Sequence, residues 1–297
     1  MQPLQPGVWG VLPTPFNGDD LAVDRASLVK ALELFTSAGT TGVVALGVFG
    51  EAAQLNGEER AQVVSHATEA FGADRVVVGL TSLDTPKACE EAAAAVHAAQ
   101  APLAAVMVQI NSTSSEAVTQ HLKAIADVSG LPVVLQDYPV ASGVRVSTDL
   151  ILELTERNPF VAAVKCESPP TSPAIAALAA RTNIPLFGGL GGIGLLDELL
   201  AGAAGAMTGF SYPEVLVEVV VAWRAGGYDA ARTAILPWLP LINFEAQIQV
   251  GLAIRKENLR RRGVLASGAV RAPALPFPAT MGPLADAHQR PVLELSH

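Results

Sequence analysis

The sequence has few cysteines, no extended basic run and no long apolar segment. Only Cys89 and Cys166 occur among its 297 residues, with no CxxC motif and no histidine at metal-ligand spacing. This pattern argues against a disulfide scaffold and a structural zinc site. No segment approaches the roughly 18 uninterrupted apolar residues of a membrane span, and the amino terminus does not resemble a signal peptide. We therefore expect a cytoplasmic protein that neither spans a membrane nor is exported.

Positive charge is also scarce. The chain has 19 basic and 28 acidic residues, a formal net charge of −9, and its longest basic run is Arg260-Arg261-Arg262. This balance argues against nucleic acid or an anionic membrane as the main partner. Because 50% of the residues are hydrophobic, the chain can bury a sizeable core.

Short apolar runs alternate with segments of helical period along most of the chain, a pattern typical of parallel βα units. The runs expected to form strands are Val8–Leu12, Gly42–Leu46, Val76–Gly79, Leu103–Val108, Pro132–Gln136, Val161–Lys165, Pro185–Phe187 and Ala206–Thr208. Asp24, Asn56 and Ser147 precede helical segments as N-cap residues. Eight such units predict an α/β fold, the (β/α)8 TIM barrel. A doubly wound open sheet is the alternative, although it seldom reaches eight regular units.

The carboxyl-terminal part of the chain has a different pattern. The helical segment Glu214–Ala225 follows the eighth strand, and Asp229–Ile235 and Ala246–Arg262 also have a helical pattern. This region has too few strands for a second α/β domain. We predict a barrel over residues 1–225 and a C-terminal helical extension, packed on the barrel, over residues 226–297.

Lys165 is the most informative single residue. It ends the apolar run that begins at Val161, and Cys166 and Glu167 follow it. Burial disfavours the charged form of a lysine, and a neutral amine is a nucleophile toward carbonyl groups. A lysine at a strand end can also simply extend to water. In a TIM barrel, however, the carboxyl ends of the strands form the active site, which favours a catalytic role.

Three other polar residues are predicted near Lys165. Side chains alternate along a strand, so Glu167 lies on the same side as Lys165 and Cys166 faces away. Glu167 is either a proton-transfer group or a carboxylate of a surface loop. Gln136 and Tyr138 stand at the end of the fifth strand. Tyr138 is either a general acid and base or a ring at the pocket rim.

Two glycine-rich turns are candidates for substrate binding. In the turn Gly47–Glu51, after the second strand, backbone N–H groups can point at an anion such as a carboxylate. The turn Gly188–Gly192, after the seventh strand, lacks the acidic partner of a dinucleotide fingerprint, so we expect its backbone to approach a substrate closely. The candidate substrate-binding residues are Val48, Phe49, Gly50, Gly189 and Met207.

Taken in order, these features resemble the dihydrodipicolinate synthase / N-acetylneuraminate lyase family of Schiff-base aldolases. The resemblance covers nearly the whole chain. It includes Gly10–Phe16 at the first strand, Gly47–Glu51 where the family has its G-x-x-G-E turn, and Val164-Lys165 where it has its imine-forming lysine. It implies that Lys165 condenses with the ketone of a 2-oxo acid such as pyruvate. It also implies that the Val48 and Phe49 backbone holds the carboxylate, and that no metal or organic cofactor is needed.

The sequence departs from this family at several positions. The two threonines of the family's turn are Val48 and Phe49 here, its relay tyrosine falls on Gln136, and its tyrosine from a neighbouring subunit falls near Ile110. The arginine that meets the incoming substrate falls on Ala141. The threonines of Gly39-Thr40-Thr41-Gly42 precede the second strand and therefore lie at the wrong end of the barrel. A phenylalanine at position 49 of this turn is similar to the hydratase-aldolase branch of the family. Together with Ile110, it favours a substrate whose far end is uncharged or aromatic.

The sequence thus predicts a lyase that forms a Schiff base at Lys165, either a pyruvate-dependent aldolase or a hydratase-aldolase or dehydratase. One alternative is a 4-hydroxy-tetrahydrodipicolinate synthase, which joins pyruvate to aspartate semialdehyde. A second is a non-catalytic barrel that binds 2-oxo acids, and a third is a nucleotide-dependent oxidoreductase. From the family we expect a homo-oligomer, either a tetramer or a dimer.

Overall fold

The structure is a computed structural model that describes residues 2–295, with side chains through residue 288. Eight parallel strands close into a barrel in chain order, from β1 next to β2 around to β8 next to β1. The strands are β1 Gly7–Val11, β2 Gly42–Ala45, β3 Val76–Gly79, β4 Ala105–Gln109, β5 Val133–Asp137, β6 Val161–Cys166, β7 Leu186–Gly188 and β8 Gly205–Thr208. The predicted TIM barrel is confirmed, and the open sheet is wrong.

Helices lie between the strands and surround the barrel. They are α1 Arg25–Ser37, α2 Gly57–Phe71, α3 Thr85–Ala99, α4 Ser115–Ser129, α5 Pro139–Ser142, α6 Thr148–Arg157, α7 Thr171–Ala179 and α8 Leu195–Leu200. The Asp24, Asn56 and Ser147 side chains each accept a backbone N–H from three residues further on, as predicted from their N-cap positions. These local signals therefore place the starts of three helices correctly.

Both faces of the strands are buried, so the core has two layers. Trp9, Met107, Phe187 and Met207 belong to the cluster that fills the barrel interior. The larger cluster lies between the sheet and the surrounding helices, and Cys166 packs there. Because the interior is filled by side chains, the accessible chemistry of the barrel is confined to its ends.

The carboxyl-terminal helices are α9 Pro213–Ile235, α10 Leu239–Glu245, α11 Gly251–Arg261 and α12 Gly282–Leu295. Predicted segments 214–225 and 229–235 are parts of α9, which is interrupted at Gly227 with φ 65°. The helix predicted over residues 246–262 begins only at Gly251, because Gln249 has φ 71°, which is not helical. The division of the chain near residue 225 stays a prediction. Across residues 2–295, no helix combines the length and apolar character needed to cross a membrane.

Candidate active site

Lys165 lies at the carboxyl end of β6, next to Gln136 of β5 and Phe187 of β7. Its side chain is only 6% exposed, and its Nζ is 3.1 Å from Glu167 Oε2. Within the described part of the chain, that carboxylate is its one hydrogen-bonding or ion-pair partner. An ammonium has three N–H donors, so two donor positions on Lys165 are left without a protein acceptor. The structure thus presents a buried amine with few partners at the end of the barrel that bears active sites.

Glu167 is held in place by its neighbours. Its N–H donates to Asp137 O at 2.9 Å, and Gln136 Nε2 donates to its Oε2 at 2.7 Å. A Cβ on Gly189 would lie 2.3 Å from Glu167 Oε1, so only glycine fits beside this carboxylate. The structure therefore brings Lys165, Glu167, Gln136 and Gly189 together, and Glu167 is a buried site carboxylate rather than a surface one.

Tyr138 follows β5 and is half-buried. Burial raises the pKa of its phenol, the charge of Glu167 raises it further, and the positive charge of Arg255 partly opposes both effects. Tyr138 therefore keeps its proton at neutral pH and can donate it. Tyr138 directly follows Asp137, the last residue of β5, so it lies at the same end of the barrel as Lys165.

The turn after β2 has unused donors and a fixed shape. The Val48 and Phe49 N–H groups donate to no residue within the described part of the chain, whereas Gly50 N–H donates to Gly47 O at 2.9 Å. Glu51 closes the turn in the left-handed conformation, with φ 53°. The two free amides at the barrel mouth are suited to a substrate carboxylate.

Two residues of the site are not predicted from the sequence. Gln109, at the end of β4, pairs in register with Gln136, and its buried Oε1 has no hydrogen-bond partner among the described residues. The alternation of β4 carries a signal for it, since Met107 faces the interior and Gln109 is two residues further along. Arg255, from α11, lies with its guanidinium carbon 4.0 Å from the centroid of the Phe49 ring. No local pattern points to Arg255, because the contact joins residues about two hundred positions apart.

Other candidates lie away from the mouth. Met207 is completely buried in the barrel interior, so its role in substrate binding stays a prediction. Ile110 packs in the layer between the sheet and the helices, which corrects the expectation that it makes the pocket apolar. The carbonyl groups of Thr40 and Thr41, ahead of β2, accept hydrogen bonds from Arg75.

Two buried carboxyl groups lie behind the site. Burial raises the pKa of Asp137 to about 6, with the charge of Glu167 adding to the shift and Arg145 opposing it. Burial likewise raises the pKa of Glu198 to about 7, although Thr171 donates to Glu198 at 2.7 Å. Asp137 Oδ1 and Glu198 Oε2 have no hydrogen-bond partner among the described side chains and backbone.

Comparison with known proteins gives one consistent family. Residues 5–285 match the model described as the dihydrodipicolinate synthetase family. The L-2-keto-3-deoxyarabonate dehydratase of Azospirillum brasilense is 30% identical over 280 residues, which cover 91% of this chain and 89% of that protein. The 4-hydroxy-tetrahydrodipicolinate synthase of Kineococcus radiotolerans is 32% identical over 283 residues, covering 93% and 90%.

The crystal structure of dihydrodipicolinate synthase from Rhodopseudomonas palustris superposes with a TM-score of 0.88 at 29% identity, covering 98% of this chain and 100% of that one. The relatives are lyases that share this barrel, and the family match covers almost the whole chain. The protein is therefore a lyase of the class I aldolase type and belongs to the dihydrodipicolinate synthetase family.

Proposed function

We propose that this lyase forms a Schiff base between Lys165 and a 2-oxo acid such as pyruvate, and acts as an aldolase, a hydratase-aldolase or a dehydratase. The observation that carries the proposal is the Lys165 amine, which is buried at the carboxyl end of β6 with one carboxylate partner at 3.1 Å. Both the unpaired donors and the low exposure distinguish it from a lysine that extends to water.

In the first step, the neutral Lys165 amine attacks the ketone carbon of the 2-oxo acid, one proton is taken up, and water leaves to give an iminium. The iminium withdraws electrons, so a proton can leave the adjacent carbon and produce an enamine. The enamine either adds to an aldehyde or expels a hydroxyl group from the next carbon of a longer acid. Hydrolysis of the final iminium consumes one water and restores the lysine. These steps require no redox partner.

Protein groups around Lys165 support each proton transfer. Glu167 can accept a proton from the ammonium, and Gln136 holds that carboxylate toward the amine through its 2.7 Å hydrogen bond. Tyr138 can donate to the hydroxyl that forms or leaves. The free amides of Val48 and Phe49 bind the substrate carboxylate, and Gly50, Gly189 and Met207 complete the predicted substrate-binding set.

Synthesis of 4-hydroxy-tetrahydrodipicolinate is a second candidate, because the Kineococcus relative bears that name. The site favours it less. Ala141, where the resemblance places an arginine, is exposed on α5, and the relay tyrosine position is Gln136. A non-catalytic barrel that binds 2-oxo acids is the third candidate, and turnover separates it from the first two. We further propose a cytoplasmic homo-oligomer, either a tetramer or a dimer, on the basis of the family resemblance.

The test is borohydride reduction in the presence of pyruvate and a panel of aryl and sugar-derived 2-oxo acids, followed by peptide mass spectrometry. We expect a reduced adduct on Lys165, no adduct on Lys256, and release of an aldehyde or loss of water from the best-trapped acids. The Lys165→Ala variant is the matched control. A folded protein that traps none of these acids would contradict the proposed function, and trapping without turnover would favour the binding barrel.

A further inference from the structure

Arg255 is a buried cation that its protein partners leave incompletely bonded. Its side chain is 9% exposed, its Nε donates to Glu245 Oε2 at 3.1 Å, and its Nη2 lies 3.5 Å from Glu245 O. Nη1 makes no hydrogen bond to any described residue. Guanidinium groups have five N–H donors, and buried donors are normally paired. The unpaired edge of Arg255 is therefore available to an acceptor from outside the chain.

Glu245 does not depend on Arg255 for its own hydrogen bonds. Ser211 donates to this carboxylate through its N–H at 3.1 Å and through its hydroxyl, and Asn258 Nδ2 donates at 2.7 Å. Four donors thus surround Glu245, of which only one belongs to Arg255. Charge neutralisation explains why Glu245 is beside Arg255, but it does not explain the free Nη1.

The guanidinium lies at the barrel mouth. It covers the Phe49 ring after β2, and a Cβ on Gly209, directly after β8, would be 3.3 Å from Nη1. A Cβ on Gly191, after β7, would be 2.9 Å from Nη2. Glycines at both positions leave room for the side chain, which thus reaches from α11 to the carboxyl ends of three strands.

We propose that Arg255 binds a second carboxylate at the far end of the substrate, so that the enzyme acts on dicarboxylic 2-oxo acids. This inference rests on the proposed function, in which Lys165 and the amides of Val48 and Phe49 hold the 2-oxo acid end. Arginine suits the role because its planar fork donates two parallel N–H bonds to a carboxylate. The cation revises the expectation of an uncharged far end that Phe49 suggested, since the guanidinium occupies one face of that ring.

The test compares two 2-oxo acids of equal chain length, 2-oxoglutarate and 2-oxovalerate, which differ by the distal carboxylate. Half-saturation of borohydride trapping at Lys165 is measured for the wild type, Arg255→Gln, Arg255→Lys and Arg260→Gln. Arg260 is the matched control, because it is on the same helix and pairs with Glu257 at the surface. Glutarate and pentanoate, which cannot form an imine, are compared by their effect on the thermal midpoint of the same four proteins.

We expect the wild type to prefer 2-oxoglutarate by about 10- to 100-fold, as for a charge-assisted bidentate contact. Arg255→Gln should lose this preference, while its half-saturation for 2-oxovalerate changes less than about threefold. Arg255→Lys should keep part of the preference, and Arg260→Gln should keep all of it. Glutarate should raise the thermal midpoint more than pentanoate, except in Arg255→Gln. Equal weakening of both oxo acids, or no preference in the wild type, would overturn the role of Arg255. If no acid is trapped, the proposed function fails, and the glutarate comparison still decides whether Arg255 binds a distal carboxylate.

Discussion

The protein contains two buried lysine–glutamate pairs with opposite surroundings. In the first, Lys165 has one protein partner, Glu167, and opens toward the barrel mouth. In the second, Lys256 of α11 is fully buried, pairs with Glu51, donates to Ala269 O at 2.9 Å, and lies 4.2 Å from the centroid of the Phe16 ring. The same two residue types therefore form a sparsely bonded pair and a fully bonded pair.

This difference in bonding predicts a chemical role for the Lys165 pair and a structural role for the Lys256 pair. Burial lowers the pKa of Lys256, and the charge of Glu51 partly opposes this shift. A low lysine pKa is thus not sufficient for chemistry here, because the Lys256 amine is enclosed by its partners and joins the carboxyl-terminal helices to the turn after β2. Lys165 is the candidate nucleophile because two of its donor positions are free and it lies at the end of the barrel that bears active sites.

The largest expected effect is on turnover when Lys165 is replaced. Lys165→Met should lower kcat/KM by at least about 10³-fold, because it removes the amine that forms the imine, and the Lys256 amine is fully buried against Glu51 and Ala269 O. The free energy of unfolding should fall by about 1–3 kcal/mol, because the buried Glu167 carboxylate loses its cation and keeps Gln136 Nε2 as its side-chain donor. Steady-state kinetics and urea unfolding measure the two quantities. A variant with unchanged turnover would remove Lys165 from the mechanism.

Replacement of Lys256 should act mainly on stability. Lys256→Met leaves the Glu51 carboxylate buried with the Arg271 N–H, at 2.7 Å, as its remaining donor among the described residues, so we expect a loss of about 3–5 kcal/mol in the free energy of unfolding. The Glu51→Gln/Lys256→Met double variant should recover part of that loss. Borohydride trapping at Lys165 should persist in whatever fraction remains folded. A loss below about 1 kcal/mol would show that the Glu51–Lys256 pair does little to stabilise the packing of the carboxyl-terminal helices on the turn after β2.

The sequence could predict the elements whose signals are local. Asp24, Asn56 and Ser147 each cap a helix within three residues of themselves, and the apolar runs identify all eight strands with no end shifted by more than two residues. Strand alternation was enough to place Glu167 beside Lys165 and to turn Cys166 toward the helices.

The sequence could not predict the contacts made by α11. The Glu51–Lys256 pair spans 205 residues, and Arg255 reaches Phe49 over a similar separation. In the sequence, Arg255 and Lys256 are two charged residues of a late helix, and only the three-dimensional packing of that helix on the barrel shows that both are buried. Ile110 was misplaced for a different reason. Its assignment to the pocket came from the family position, whereas strand alternation from Met107 turns Gln109 inward and Ile110 toward the helices.

Replacement of Tyr138 should have a smaller effect on turnover, and it tests whether a proton donor distinguishes the surroundings of Lys165 from those of Lys256. The Lys165 pair has a protonated phenol nearby, whereas the contacts of Lys256 are a carboxylate, a carbonyl and an aromatic ring. If Tyr138 transfers the proton, Tyr138→Phe should lower kcat by about 10²-fold while the half-saturation of imine trapping stays unchanged. Single-turnover kinetics and trapping measure these separately. Full turnover in the variant would exclude Tyr138 from proton transfer.

Glu198 extends the comparison to a buried carboxyl group that has no lysine partner. Thr171 is its one hydrogen-bond donor among the described residues, and burial raises its pKa to about 7 from the ordinary value of 4.5. Because the raised value means that the folded protein binds more protons than the unfolded chain, Glu198 should lower the free energy of unfolding as pH rises from about 4.5 to 7.

Glu198→Gln keeps an acceptor for Thr171 and removes the titration. We expect the variant to match the wild type near pH 4.5 and to exceed it by about 1–3 kcal/mol at pH 8, in urea unfolding measured across this range. Taking the difference between the two proteins cancels the titration of the other carboxyl groups, including Asp137, that they share. A difference that stays constant with pH would show that folding does not raise the pKa of Glu198.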